Sequence, residues 1–493
     1  MSVELPHAGL GRAAALSLGL ALLTMPAVAQ QDGLRGATTS RELFDRQAED
    51  AYTLAVRATV WGYPLVRAAQ LREKATQPDS PFAPRPSTLA TAPLNRLGRA
   101  RDLADPATRI GVAPNNDTLY ALAFLDTSSG PFQLDTPDFG DRYYVVQFGE
   151  ADGSTVHTYG QSSHGRRLPP IFITAPDYKG PAPRGAIVVR SQQRYLMVAN
   201  RILTDGASDL PAVHRLQDGI RLRLWRGPNN LTEAPVLPQR RLAGDAGMVS
   251  EPLRLLANLG TALADWRPSP REARLIDSFR RISLTTRGGF QHETLSPTDR
   301  AAVERGIADG LAIIGAKTRN LGKSANGWST SYAGSRFGND YLLRAAVAMD
   351  QIYVLDKDEA LYPVAHVDQA GEPLDGRNRY SLCFSKEDLP PVDAFWSITM
   401  YYAKGFLVPN RIARYSIGDR TPGLVRGSDG SIRLTIQHAD PSAGKRANWL
   451  PAPDEKFMLM MRLYRPQKRA SDGRWSPPAI TSIKTGSPSC GTD

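Results

Sequence analysis

The residues best suited to chemistry form one polar run, Asn115-Asn116-Asp117-Thr118, closed by Tyr120. Asp117 offers a general base or acid, and Tyr120 offers a donor beside it. Asn115 and Asn116 would hold the ligand. The same residue types also turn a backbone, because Asn and Asp side chains bond to nearby N–H groups. The run therefore reads either as a proton-transfer site or as a turn that caps the segment after it. His157 and Tyr401 are the further proton-transfer candidates. A second polar group lies toward the C-terminus. Asn410, Arg414 and Tyr415 mix amide, guanidinium and phenol, which suits hydroxyl- or carboxylate-bearing ligands. Asn448 and Trp449 add an amide and an aromatic wall. The structural alternative is a sheet rim held by Arg and Tyr hydrogen bonds, with Trp449 plugging a core edge.

Established catalytic signatures are missing. No GxSxG nucleophile elbow occurs. His292-Glu293 opens like a zinc-protease motif, but Ser296 stands where the second His belongs. Ser442-x-x-Lys445 and Lys484-Thr485-Gly486 copy penicillin-binding motifs, yet they stand too close together for that fold. The seven histidines are His7, His157, His164, His214, His292, His366 and His438. None is paired at the i, i+2 or i, i+4 spacing that presents two imidazoles from one element. A loop through Tyr159-Gly160-Gln161 would be needed to join His157 to His164. The expectation is no metal and no organic cofactor.

The elements that must position these groups follow an exported pattern. Arg12, the apolar stretch from Ala13 to Met25 and the small-x-small site Ala27-Val28-Ala29 read as a secretory signal cleaved after Ala29. No later run reaches the ~18 apolar residues a membrane span needs. A periplasmic protein with no stable span is expected. Only Cys383 and Cys490 are present. An oxidising compartment permits them to pair, but the Cα separation such a bond requires is not a sequence property.

The charge is +11 and the pI about 9.6. Such a chain is drawn to anionic envelope polymers or headgroups, or simply carries solvated arginines. The densest basic stretch runs from Arg462 to Arg474. No nucleic-acid module accompanies it. The partners expected are a small-molecule or glycan ligand and a homo-oligomer, not nucleic acid.

Thr39-x-x-Glu42 has the form of a capping box. Leu43, Ala51, Leu54, Ala58 and Trp61 follow at helical spacing until Pro64, which should kink or end the helix. Residues 76–94 read as a loop. Tyr143–Phe148, Ile171–Thr174, Ala186–Arg190 and Leu196–Leu203 read as short strands of an antiparallel sandwich. Asp209–Trp225 reads as helical. Residues 250–350 are mostly helical, with Ser296 capping Pro297 and an apolar stripe at Val303, Ile307, Leu311 and Ile314. Strand candidates return at Tyr362–His366, Arg379–Phe384, Ala394–Tyr401, Ile432–His438 and Phe457–Leu463, with hairpin-type turns at Asp375-Gly376 and Asp429-Gly430. Along the third of these, Trp396, Ile398, Met400 and Tyr402 share one face, a core. Phe395, Ser397, Thr399 and Tyr401 share the other, whose hydroxyls suit a concave binding sheet.

Three runs carry a family resemblance: VAPNNDTLY from Val112 to Tyr120, FWSITMYY from Phe395 to Tyr402, and NWLPAP from Asn448 to Pro453. Together they resemble a bacterial family that pairs the domain of unknown function 1254 with the domain of unknown function 1214. The resemblance implies a multidomain α and β chain: an N-terminal helix, an immunoglobulin-like β-sandwich, a helical bundle and a C-terminal jelly-roll β-sandwich. The boundaries expected are a signal peptide at 1–29 and a leader, helix and loop at 30–95. The N-terminal β module then spans 96–245, a helical region 246–350, the C-terminal β module 351–484 and a flexible tail 485–493. Two functions follow. One is a hydrolase or lyase acting on a polar substrate between the two β modules. The other is a non-catalytic binding or envelope-scaffold protein recognising a glycan or anionic ligand.

Overall fold

The computed structural model describes residues 40–77, 86–109, 113–237, 240–244 and 249–483, with side chains from Arg46 onward. The expected signal peptide, Thr39 and the Glu42 side chain of the capping box, Val112, Lys484-Thr485-Gly486, Cys490 and the tail lie outside the described residues. The chain divides after Gln47, and Ala48–Asp493 makes one compact unit. The chain is mixed α and β, with an N-terminal helix and several sheets.

Helix α1 spans Ser40–Thr76 and continues past Pro64, so the proline does not end it. Of the two expected outcomes, a kink or an end, the end is ruled out. Pro costs one backbone bond, and here Trp61, Leu65 and Val66 around it are buried in a cluster with Leu256, Leu259 and Val303. The tertiary packing outweighs the local loss.

Ten strands follow: β1 Gly98–Arg99, β2 Thr118–Asp126, β3 Phe132–Asp135, β4 Tyr144–Glu150, β5 Thr155–Gly160, β6 Ile171–Thr174, β7 Ile187–Arg190, β8 Tyr195–Leu203, β9 Arg221–Gly227 and β10 Asn230–Thr232. They form two five-stranded sheets, β1-β2-β8-β4-β5 and β10-β9-β3-β6-β7. Leu125, Val146 and Phe148 from the first sheet share a core with Phe132, Ile171 and Leu224 from the second. Every pair is antiparallel except β6–β7. Two short helices interrupt the strands, α2 Gln161–His164 and α3 Leu210–Gly219. The helix expected over 209–225 therefore ends at Gly219, and the residues after it become β9. Leu222 and Leu224, two apart, pack toward the core, which is strand spacing rather than helical.

The helical region holds α4 Arg254–Leu263, α5 Pro270–Ser278, α6 Pro297–Thr318 and α7 Tyr341–Asp350, with a small hairpin of β11 Leu284–Thr285 and β12 Gly289–Phe290 between α5 and α6. The Ser296 side chain caps α6 by accepting from Asp299 N at 3.1 Å, as its position before Pro297 predicted. Gly306 sits where a Cβ would lie 2.6 Å from the Tyr52 carbonyl oxygen, so glycine lets α6 cross α1 closely.

The C-terminal strands are β13 Lys323–Ala325, β14 Trp328–Thr330, β15 Ala360–Leu361, β16 Val364–Ala365, β17 Tyr380–Phe384, β18 Val392–Tyr402, β19 Ser416–Gly418, β20 Ile432–Gln437, β21 Trp449–Pro451, β22 Phe457–Pro466 and β23 Ile480–Ser482. One sheet runs β13-β14-β16-β22-β18-β19 with β15 also on β22, and the other runs β21-β20-β17-β23. Ile398, Met400 and Leu459 of the first face Leu382, Leu434 and Ile480 of the second across one core. Asp375 does begin a turn, with Asn378 N donating to its carbonyl at 2.9 Å. The strands flanking it pair elsewhere, however, so it is not a hairpin. Cys383 lies on β17 and is not a free thiol. Among the described residues, no helix is long and apolar enough to cross a membrane.

Candidate functional site

The second face of β18 decides the site. Its hydroxyls do not line an open concave sheet, as the alternation suggested. They are buried against the loop that leads into β2. Ser397 Oγ donates to Asp117 Oδ2 at 2.7 Å, and Tyr401 OH donates to the Pro114 carbonyl at 2.7 Å. From the neighbouring strand, Arg462 Nη2 donates to the Ala113 carbonyl at 2.9 Å. Asn115 Nδ2 donates to Tyr464 OH. Phe395 stacks on Tyr464 at 4.2 Å, and both meet the edge of Tyr143. The Asn115 carbonyl oxygen Oδ1 accepts from Asp117 N and Thr118 N, so the run is a true Asx turn. The N-terminal signature run thus docks onto the C-terminal one.

Beside this junction lies a cavity of about 200 Å³. Strand β2 contributes Thr118, Tyr120 and Leu122, β8 contributes Met197, Ala199 and Arg201, and β22 contributes Met460 and Arg462. Tyr120 and Arg201 are direct cross-strand partners. Leu71 of α1, Gln351, Ile352, Tyr353 and Tyr362 complete the wall, and the exposed Asp102 marks where it reaches solvent. Ile352 and Tyr353 hold successive left-handed φ values of 33° and 53°, a conformation few L-residues adopt. Strain of this kind collects where structure around it over-determines the backbone. Here the Tyr353 carbonyl accepts from Gln147 at 2.7 Å and Arg201 at 3.2 Å.

Arg201 is buried yet forms no ion pair with a carboxylate among the described residues. Its Nη2 donates to Gln147 Oε1 at 2.7 Å, its Nη1 reaches Tyr362 OH at 3.4 Å, and its guanidinium stands 5.2 Å from the Tyr120 ring centre. Its Nε has no hydrogen-bond partner among the described residues, nor do Thr118 Oγ1 and Gln351 Nε2. All three atoms belong to residues that line the cavity. A buried polar group left unpaired costs about 1–3 kcal/mol, so three on one wall is a concentration that calls for a partner. Arg462 differs. It is fully engaged by Thr399 Oγ1 at 2.8 Å, Tyr401 OH at 2.8 Å and Ala113 O, and the Asp117 charge acts on it. Burial holds the phenols of Tyr362, Tyr401 and Tyr464 above their ordinary range, so near neutral pH they are hydrogen-bond donors, not bases.

The predicted residues fall into four places. Asn115 and Tyr120 line the cavity, while Asn116, Asp117 and Tyr401 build the wall behind it. Asn116 Nδ2 donates to Ala104 O at 2.6 Å. Asp117 is engaged by Ser397 and by Arg420 Nη2 at 3.3 Å. His157 sits on edge strand β5, its ring 5.9 Å from that of Tyr159, and does not line the cavity. The C-terminal group is elsewhere. Asn410 bonds back to the chain at Val408 O and at Arg414. Arg414 Nη1 caps the carbonyls of Arg446, Ala447 and Trp449 at 2.6–3.0 Å. Asn448 ties Val425 to Arg433, and Trp449 Nε1 donates to Gln437 O at 2.9 Å from a buried position. Tyr415 packs, half-buried, near Tyr401. Asp117 and Arg414 therefore do not share a hollow; each serves its own local network.

Arg201, Gln351 and Tyr362 were not singled out from sequence as site residues; Thr118 entered only as the end of the polar run and Arg462 only as the start of the basic stretch. A signal existed. Arg201 interrupts the apolar run Tyr195–Leu203, and Arg462 interrupts Phe457–Leu463. A single Arg inside a strand that otherwise reads as buried must be satisfied internally or face a cavity. Arg462 had instead been grouped with solvated arginines, and at 2% exposure it is not one. Among the described residues, no group of three or more His, Cys, Asp or Glu is placed to hold a metal ion.

Residues 94–224 match the family described as "Protein of unknown function (DUF1254)", and residues 359–468 match "Protein of unknown function (DUF1214)". Among solved structures, the VPA0106 protein from Vibrio parahaemolyticus is 20% identical, with a TM-score of 0.61 over 88% of this chain and 100% of that one. At that identity the likeness speaks to fold alone. A Burkholderia cenocepacia protein, 13% identical over 90% of this chain and 95% of that one, superposes with a TM-score of 0.39, too low to bear on the fold. The comparison with curated proteins returned no match.

Proposed function

For a chain that carries a DUF1254 region followed by a DUF1214 region, we propose a ligand-binding role: the protein holds a small anionic ligand in the cavity between its two β units. The observation that carries this reading is Arg201, a lining residue whose buried guanidinium has an unpaired Nε and no carboxylate in contact among the described residues. An always-charged group in that setting is compensated best by an anion. We take residues 96–245 as an immunoglobulin-like sandwich, 246–350 as a helical bundle and 351–484 as a jelly roll, which together frame the cavity. We also place the protein in the periplasm after cleavage at Ala29.

Binding is the better reading than hydrolase or lyase chemistry for a geometric reason. The proton-transfer candidates are spent elsewhere: Asp117 on Ser397 and Arg420, Tyr401 on Pro114 and Arg462, His157 away from the cavity. Among the described residues, no histidine lines the cavity; of the carboxylates near it, Asp102 stands exposed at the mouth and Asp105 is taken up by Thr108 Oγ1 at 3.0 Å and by the backbone N–H groups of Ala107 and Thr108. Titration calorimetry with acetate, benzoate, phosphate and sulfate tests the proposal. At least one anion is expected to bind the wild type and not Arg201→Met. If every anion fails to bind a folded wild-type protein, the proposal is wrong.

A further inference from the structure

Building on that anion-binding reading, we propose that the ligand is a monocarboxylic acid with a compact apolar body, about the size of one aromatic ring or a short alkyl chain, its carboxylate between Arg201, Gln351 and Thr118.

The head group follows from counting donors and charge. Arg201 Nε carries one N–H, Gln351 Nε2 an amide N–H, and Thr118 Oγ1 a hydroxyl; all three are buried atoms of lining residues, and none has a partner among the described residues. A carboxylate is acceptor-only and offers about four lone-pair sites, enough to take all three. The charge on offer is one. Arg462 is already balanced by Asp117 and by three oxygen acceptors. Arg201 has no carboxylate in contact among the described residues; the charge of buried Glu359 reaches it only from a distance. A dianion such as phosphate would leave one charge uncancelled in a low-dielectric site, and it would pass the exposed Asp102 carboxylate at the mouth.

The body follows from the wall and its size. Leu71, Leu122, Met197, Ile352 and Met460 supply much of the remaining lining, with Thr88, Thr108 and Asp102 as polar exceptions. They ask for an apolar partner, and the two methionines adapt to its outline. A dry cavity of roughly 150 Å³ accommodates benzene. The volume of about 200 Å³ here leaves room for one ring plus a carboxylate. The Tyr120 ring, on the strand partner of Arg201, adds a flat face beside the head group.

The test is calorimetry on the intact protein with benzoate and hexanoate as probes. Benzamide serves as the neutral isostere, and phenyl phosphate and inorganic phosphate as rival anions. Benzoate and hexanoate are expected to bind, with benzamide at least about tenfold weaker, a gap of ~1.4 kcal/mol. Arg201→Met should remove the preference for benzoate over benzamide. Thr118→Val, which keeps the side-chain shape, should weaken benzoate several-fold while leaving the melting temperature unchanged. Equal binding of benzoate and benzamide would overturn the assignment of the head group. Phenyl phosphate or phosphate binding in place of both carboxylates would overturn the ligand class and leave the anion-binding reading standing. Failure of every anion would overturn both.

Discussion

Arg201 gives its shortest hydrogen bond, 2.7 Å, to the amide oxygen of Gln147, a neutral partner two strand positions away on β4. A buried cation satisfied only by neutral oxygens holds its charge for something else. The protein orders Gln147 in turn through Thr155 and the Tyr353 carbonyl, so the guanidinium is positioned from behind. That arrangement is what a preformed anion site requires, since a group held before binding loses little entropy on binding.

Asp117 is expected to matter for stability more than for chemistry. Its carboxylate joins Ser397 and Arg420 across the junction of the two β units from a position 4% exposed. Asp117→Asn keeps the shape and removes the charge, leaving Arg420 and Arg462 without their common anion. Urea unfolding should show a loss of about 2–3 kcal/mol. Unchanged stability together with abolished function would instead return Asp117 to a catalytic role.

Stability should fall with rising pH because of Glu150. Burial pushes its carboxyl up to about 7, the nearby Asp152 charge adds to this, and hydrogen bonds from Ser191 and Gln192 oppose it. Unfolded, the group returns to the ordinary 4.5. Between those values the native state binds more protons, so its contribution is complete below about pH 4.5 and is lost as the pH passes about 7. The gap corresponds to roughly 3 kcal/mol. Glu150→Gln should flatten the decline in melting temperature between pH 5 and 8. Asp419, which burial raises to about 6, titrates in both proteins and cancels in the comparison. Identical slopes would show that Glu150 is not the source.

Gly149 links the sheet to the cavity wall. A Cβ there would lie 2.5 Å from the Tyr353 ring and 2.8 Å from Met197 Cε. Gly149→Ala must displace two lining residues, with an expected cost of about 1–3 kcal/mol. Ligand affinity should drop as well, although no contact to the ligand is removed. Retained affinity at wild-type stability would mean that Tyr353 moves freely.

The C-terminal polar group should prove separable from the cavity. Trp449→Ala removes a buried indole and should destabilise by about 3–5 kcal/mol. Arg414→Ala uncaps three carbonyls at a smaller cost, about 1–2 kcal/mol. Affinity for the anionic ligand should stay within twofold in Arg414→Ala. A large loss would place Arg414 in the binding site after all.

Much of the architecture was legible along the chain. Ser296 before Pro297, the apolar stripe on α6 and the β-branched runs that became β4, β6, β7 and β8 reflect local rules of capping and periodicity. The pairing of the two signature regions was visible too, as residue types in a fixed order. Local rules failed where distant contacts outweighed them. Pro64 sits inside an unbroken helix because the core around Trp61 and Leu65 holds it. Residues after Gly219 formed a strand because β3 was there to pair with them.

Chain order thus set which side chains alternate on β18, but not what each face would meet. Ser397, Thr399 and Tyr401 look the same whether solvent, a ligand or a neighbouring loop lies opposite. The packing of one β unit on the other made that choice, and it turned the suspected catalytic run into a joint. The same packing left Arg201, some 260 residues from Arg462 along the chain, on a shared wall. Periodicity reports a residue's own strand; it carries no information about which charge will arrive to balance it.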